Sequence, residues 1–181
     1  AASAVQFVPC VAQEARKLLI YQRSANWVSR KRDRPYKAWE KRLMRLFPFV
    51  KRISRLKIFL RNELIAYHAI KGNRVASWLV KMACLNYLNG TVTDESLRQK
   101  LLPDYPIGAK RILVADGYYE ALIRENVELI TDPIDVVDET GILTRSGRHY
   151  PCDVIIFGTG FVTNPFLDGI SVRGREGRAL S

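Results

Sequence analysis

Cysteine and histidine are scarce in this chain of 181 residues, with three of the first and two of the second. Cys10, Cys84 and Cys152 lie far apart, are odd in number and show no CxxC or Cys/His ligand spacing, so neither a zinc site nor a disulfide framework is indicated. A reducing cytosol, and with it a cytoplasmic location, is the expectation. His68 and His149 stand apart from any nucleophile or carboxylate at recognisable spacing, and both are expected to be structural or solvent-exposed. Long apolar runs are missing as well. Nothing approaches the ~18 consecutive apolar residues of a membrane span, and charges and Pro9 interrupt residues 1–19 where a signal peptide would need an unbroken apolar segment. Acids are outnumbered, 18 Asp and Glu against 29 Lys and Arg, which leaves a formal charge of +11. Such an excess suits an anionic ligand, nucleic acid, a membrane surface or an acidic partner domain, and charge alone does not choose among them.

What is present suffices for a core: 48% of the residues are apolar and 10% aromatic, in a length that one ordinary domain fills. The chain opens without Met and inside a helical pattern, and is read as a piece of a longer polypeptide. Residues 2–15 carry small and apolar side chains at helical spacing, and Leu18-Leu19-Ile20-Tyr21-Gln22 follows as a run of strand length. Helix then strand is the second half of a βαβ unit. Residues 26–36 are polar and basic, a loop; residues 38–70 and 75–88 have helical periodicity, broken near Pro48 and Gly72-Asn73. The basic helices from Arg30 to Arg61 read as a solvated face over a packed one. Thr93 to Ser96 offers caps for a short helix ending at Leu102, and Pro103 and Pro106 force the chain out of it.

Beyond that point residues 111–115 are expected as a strand, 118–123 as a short helix, 127–130 as a strand and 134–144 as two β runs around Glu139-Thr140-Gly141. Asp153 to Phe157 reads as a fully apolar, buried strand. Strands alternating with helices predict an α/β fold with a doubly wound parallel sheet.

Four short segments carry chemistry. The opening Ala1-Ala2-Ser3-Ala4-Val5-Gln6 fits the tail of a G-x-G-x-x-G/A dinucleotide fingerprint, in which small residues let a pyrophosphate approach a helix N-terminus, and fits equally an ordinary alanine-rich helix start. Gln22-Arg23-Ser24 closes the following strand about 20 residues on, where NAD-specific folds place an acid for the ribose 2′-OH. There is no acid here. Arg23 offers a bidentate fork for a 2′-phosphate and Ser24 a hydroxyl donor, although a solvated arginine at a strand end is also common. In the segment from Tyr105 to Tyr119, a Gly-containing loop delivers the adjacent cations Lys110 and Arg111 onto a strand, where their side chains must point to opposite faces and do different work. Phe157-Gly158-Thr159-Gly160-Phe161 ends the last apolar strand in a glycine turn that permits close backbone approach to a cofactor. Tyr118 and Tyr119 fit core aromatics with hydrogen-bonded hydroxyls.

Together these segments resemble the NADPH-binding domain of Baeyer–Villiger monooxygenases, the class B flavoproteins of the 4-hydroxyacetophenone and cyclohexanone monooxygenase type, and the likeness spans nearly the whole chain. The resemblance implies a Rossmann-like NADPH domain lacking its first strand, with residues 1–37 finishing the first βαβ unit, 38–104 a helical insertion, 105–157 the rest of the domain, and 158–181 a linker returning to an FAD domain. It implies FAD and NADPH as cofactors, a ketone and O2 as substrates, and an ester or lactone as product. Ala1, Ala2 and Ser3 would meet the pyrophosphate, with Ala1 standing where the second glycine is usual. Gln22, Arg23, Ser24 and Lys110 would bind the adenosine 2′-phosphate end, with Ser24 in place of the family's threonine. Thr159 and Gly160 would line the cofactor, with Gly158 in place of the family's alanine. Arg111 would be catalytic, steadying negative charge that develops during oxygen transfer. The FAD-domain segments would be partners within the same protein, without which the 181 residues should not turn over. Nucleic acid is not an expected partner. Two other readings stay open: an N- or S-oxygenating flavin monooxygenase, and a non-enzymatic basic binding module.

Overall fold

The computed structural model describes residues 2–160 and 171–179. First come α1 (Ala4–Glu14), β1 (Leu18–Tyr21) and β2 (Val28–Ser29). A helical stretch follows: α2 (Ala38–Leu46), α3 (Phe49–Arg61), a π-helical turn (Asn62–Tyr67), α4 (His68–Ile70), α5 (Arg74–Thr91) and α6 (Glu95–Leu101). The chain closes with β3 (Leu113–Val114), α7 (Tyr118–Leu122), β4 (Val127–Ile130), β5 (Ile134–Val137), β6 (Gly141–Thr144) and β7 (His149–Pro151). No helix among the described residues is long and apolar enough to cross a membrane.

Val5, Val8 and Ala12 share one face of α1 and are the side chains it buries. The last carbonyls of the helix are held by one side chain from far along the sequence: Asn126 Nδ2 donates to Ala12 O at 3.0 Å and to Ala15 O at 2.8 Å. The backbone of the same residue starts the adjacent strand, since Leu18 N donates to Asn126 O at 2.8 Å. β1 then runs parallel to β4, Leu18 opposite Val127 and Tyr21 opposite Ile130. A second parallel pair joins β2 and β3, and β5, β6 and β7 form an antiparallel meander. The main core gathers where α1, α5, α6 and α7 meet these strands, around Val8, Val28, Leu88, Leu101 and Tyr119. A second cluster forms around Trp27, Ala69, Cys84 and Ile107.

The helical stretch starts and stops where polar side chains permit. Asn73 accepts from Ala76 N at 3.0 Å to open α5, and Asp94 accepts from Ser96 N at 2.9 Å to open α6. Ahead of α2, the Glu40 carboxylate takes both arms of Arg34, at 2.8 and 2.6 Å, and Lys37 N at 2.8 Å. The Arg34 fork is the main cause that holds the Glu40 carboxyl down at about 2.

Three sequence expectations are corrected. Residues 153–157 form no strand, and Val154 and Phe157 are 69% and 79% exposed, because no described residue supplies a ladder partner and an isolated apolar run has nothing to hydrogen-bond with. The strand expected over 111–115 shrinks to Leu113–Val114, so Lys110 and Arg111 precede it in irregular chain. The described strands form two parallel pairs and an antiparallel meander, which give the parallel pairing of the expected α/β fold without joining it into one sheet. The packed face expected of the basic helices is absent: α2, α3 and the π-helical turn bury no side chain among the described residues, and Trp39, Phe49 and Phe59 stand in solvent.

The β5–β6 turn shows how tightly one carboxylate can organise backbone. Asp138 accepts from Thr140 N at 2.8 Å, Thr140 Oγ1 at 2.7 Å and Gly141 N at 2.9 Å, and faces His149 Nε2 at 3.1 Å. These bonds, the Thr140 hydroxyl foremost, hold its carboxyl at about 2, below an ordinary value of 3.8. A depressed folded-state value means stability that is present above the unfolded value and lost as pH falls toward the folded one. Asp138→Ala should therefore lower Tm at neutral pH, and the gap between variant and parent should shrink to nothing between about pH 4 and pH 2. Thermal unfolding of both across that range checks the prediction.

Candidate functional site

A cleft of about 1500 Å³ opens between α1, β1 and the segment 151–159. Its rim at the carboxyl end of β1 carries Gln22, Arg23 and Ser24, and Lys110 reaches the same rim from the second loop. Lys110 Nζ donates to Ser24 Oγ at 3.3 Å and lies 4.4 Å from the centre of the Tyr105 ring. Arg23 is exposed, and neither it nor Lys110 makes an ion pair among the described residues. The acids that line the cleft, Glu14, Glu125 and Asp153, precede β1, β4 and the final apolar segment, away from that rim. Two cations and a hydroxyl on an acid-free rim have the charge and donors that suit a phosphate dianion.

The second loop is held in place by bonds that read as a clasp. Trp27 Nε1 donates to Tyr105 O at 3.0 Å, and Tyr105 Oη donates back to Ala25 O at 3.1 Å. Between that clasp and Lys110 the chain turns at Gly108, whose φ of +91° only glycine adopts without strain. A Cβ at Gly108 would also meet the Ile70 backbone, at 3.2 Å from its Cα and 3.3 Å from its carbonyl oxygen. The loop therefore passes directly over the end of α4.

The other expected site residues distribute as follows. Ala2 and Ser3 lie in the turn before α1, where Ser3 O accepts from Gln6 N at 3.0 Å and Phe7 N at 3.2 Å while the Ser3 side chain makes no cap bond. Thr159 lines the cleft, and Gly158 sits against Ala4 and Phe7 at the first turn of α1, so the 158–160 turn and the α1 amino end are neighbours. Gly160 takes a φ of +101°. Gln22 has a structural duty, its Nε2 donating to Lys100 O at 3.1 Å. Arg111 is exposed and is not among the residues lining the cleft. Ala1 and Phe161 lie outside the described residues.

Tyr118 and Tyr119 are buried, their rings tilted at 46° with centres 5.6 Å apart; burial pushes Tyr118 up to about 12 and Tyr119 higher. Both are core side chains that stay protonated. His149 is exposed as expected, yet it is not isolated, since folding brings it to Asp138 across the meander. No group of three or more His, Cys, Asp and Glu that could hold a metal occurs among the described residues. The roles of Tyr105 and Asn126 escaped the sequence, because a tyrosine in a Pro-flanked loop and an asparagine before a strand are ordinary residues until their distant partners are known.

The glycine turn gives a paired test. Gly158 lacks a positive φ, and a Cβ there would lie 3.4 Å from Ala4 Cβ and 3.5 Å from the Phe7 ring, which is ordinary contact. Gly158→Ala should leave Tm unchanged or raise stability by up to about 1 kcal/mol. Gly160→Ala should cost at least about 1 kcal/mol through its positive φ alone. Thermal denaturation of the two variants side by side distinguishes them.

No family model matches the chain. A Baeyer–Villiger monooxygenase of Pseudomonas aeruginosa is 37% identical over 99% of this chain and 34% of its own length. Among solved structures, oxidized steroid monooxygenase bound to NADP superposes with a TM-score of 0.77 at 28% identity, over 99% of this chain and 41% of that one. OTEMO in complex with FAD and NADP superposes with a TM-score of 0.76 at 25% identity, over 99% of this chain and 40% of that one. The chain spans about a third of the length of the curated relatives it matches. Over that third, it is a homologue of the Baeyer–Villiger monooxygenases.

Proposed function

We propose that this chain is the NADPH-binding portion of an FAD- and NADPH-dependent monooxygenase that inserts one oxygen atom of O2 beside a ketone carbonyl, yielding an ester or lactone. The observation that carries the reading is the acid-free rim where Arg23, Ser24 and Lys110 meet, on a chain homologous throughout to proteins of that class. The relatives solved with NADP, and with FAD and NADP together, support the choice of cofactors. On this reading the fold is a Rossmann-like, doubly wound domain whose sheet is completed by other parts of the protein, with residues 38–104 inserted into it.

The residues fit the cofactor on their own chemistry. The guanidinium of Arg23 presents a planar fork to a 2′-phosphate, and Ser24 and Lys110 add a hydroxyl and an ammonium from the other side. Tyr105 positions Lys110 by lending its ring face, so the ammonium is pre-oriented before ligand arrives. Ala2 and Ser3, before the first turn of α1, and Thr159, beside it, border the space a pyrophosphate would take, where unpaired helix N–H groups favour negative charge. The flavin, when bound and reduced by NADPH, supplies the oxygen chemistry. Arg111 is assigned to the developing negative charge: its exposure leaves it free to face a neighbouring domain, where exclusion of water would strengthen its effect. The ketone pocket draws on the other two thirds of the protein.

In the full-length protein, Arg23→Ala and Lys110→Ala should each weaken NADPH binding by about 10- to 100-fold, the equivalent of about 1.5–3 kcal/mol for a charge-assisted bond. NADH binding should be almost unaffected, and the NADPH preference should decline with added salt. Titration of both nucleotides followed by fluorescence checks this, and equal losses for the two would remove the 2′-phosphate assignment. Arg111→Ala should abolish ester formation while flavin reduction by NADPH persists. Retained ketone oxidation in that variant would favour a heteroatom oxygenase.

A further inference from the structure

Residues 37–61 hold nine Lys and Arg and a single acid, Glu40, whose carboxylate is already taken by Arg34. All nine cations are exposed, and none makes an ion pair among the described residues. The apolar residues between them fall in register. On α3, Phe49, Ile53, Leu56 and Leu60 recur at steps of four, three and four, which at 3.6 residues per turn gathers them into an arc of about 60°. Trp39, Leu43 and Leu46 form a matching stripe on α2, and all seven residues are exposed. The cations take the remaining sides. Lys41 and Arg45 lie opposite the α2 stripe and Lys51 and Arg55 opposite the α3 stripe, while Arg52 and Lys57 border the latter on its two flanks. Where the helices meet, Phe47 and Phe49 straddle Pro48 with ring centres 5.8 Å apart, and both residues are exposed. Contiguous apolar surface rimmed by polar residues marks an interaction site.

We propose that α2 and α3 dock on the surface of an anionic phospholipid bilayer, lying along it with the two stripes among the upper acyl chains and the Lys and Arg side chains among the headgroup phosphates. A helix with Trp, Phe, Ile and Leu along one stripe and Lys and Arg over the rest is the form that lies in the interface plane. Long basic side chains reach back past the stripe, so cations on the flanks and on the far sides both find phosphate. Charge complementarity selects this occupant. A second copy of the chain would bring nine cations against nine. A nucleic acid would satisfy the cations and leave both stripes in water, because a phosphate backbone offers them nothing apolar. An apolar protein surface would cover the stripes and strip water from the flanking cations without neutralising them. An anionic bilayer supplies both needs, an apolar layer beneath a sheet of negative charge. Neither helix can pass through it: with 9 and 13 residues, α2 and α3 are about 14 and 20 Å long, short of the ~30 Å hydrocarbon core. None of residues 37–61 lines the nucleotide cleft, and the inference does not depend on the cofactor assignment.

The test is flotation of the full-length protein with vesicles of phosphatidylcholine alone and with about 30 mol% phosphatidylglycerol. The protein should bind the anionic vesicles at least about tenfold more tightly, and added salt should weaken that binding. Ile53→Glu with Leu56→Glu puts two carboxylates into the α3 stripe and should lower the affinity at least about tenfold with Tm unchanged, since both positions are exposed. Arg145→Gln with Arg175→Gln removes the same amount of charge from exposed positions elsewhere and should change the affinity by less than about threefold. Lipids brominated along their acyl chains should quench the emission of Trp39, read as the difference between the parent and Trp39→Phe. Equal affinity for neutral and anionic vesicles would overturn the proposal, as would equal losses in the two double variants, which would mean adsorption by charge alone. No binding to either vesicle, whether the face is then found on duplex DNA or shielded by another part of the polypeptide, would overturn it as well.

Discussion

Everything at the cationic rim depends on the clasp between Trp27 and Tyr105. Two reciprocal bonds, Trp27 Nε1 to the Tyr105 carbonyl and the Tyr105 hydroxyl to the Ala25 carbonyl, join segments 78 and 80 residues apart. Each is worth about 0.5–1.5 kcal/mol net, enough together to hold a loop whose own backbone makes few bonds. With the clasp closed, Lys110 lies over the Tyr105 ring and beside Ser24; without it, Lys110 would be one more solvated ammonium among 29 basic residues.

The charge excess takes on a different meaning once it is placed. Much of it lies on residues 37–61, where Glu40 is the one acid and where α2 and α3 bury nothing among the described residues. The rim at β1 holds only a small part of the total. Its effect comes from where the acids are not: Glu14, Glu125 and Asp153 border the same cleft away from Arg23, so local field and net charge point to a phosphate for separate reasons.

Much of the architecture was legible in the sequence because it is written in local terms. Asp94 caps the helix expected there, the breaks expected near Pro48 and Gly72-Asn73 fall between helices, and the apolar run from Leu18 yields the strand Leu18–Tyr21. The short helix expected over 118–123 is found at Tyr118–Leu122, and the two β runs expected around Glu139-Thr140-Gly141 pair as β5 and β6. What misled was apolarity taken as burial. Residues 153–157 and the helices around Trp39 and Phe49 have the composition of interior segments, and among the described residues they face solvent, because composition states what a segment needs and not whether a neighbour is there to provide it. Arg23, Ser24 and Lys110, singled out in the sequence, border one rim, whereas Arg111 lies two residues before the strand expected to carry it, so strand alternation does not set its direction.

The passage of Gly108 over Ile70 has a consequence for how such a protein can diversify. Gly108 lies so near Ile70 that a Cβ on it would stand 3.2 Å from the Ile70 Cα, which leaves little room between the two segments to absorb a shift. The outward residues of α2 and α3 are free to vary with little penalty to the fold, whereas the end of α4 lies close against the loop that carries Lys110. Variation is thus best tolerated away from α4, because a displacement of α4 is felt at the loop that carries Lys110.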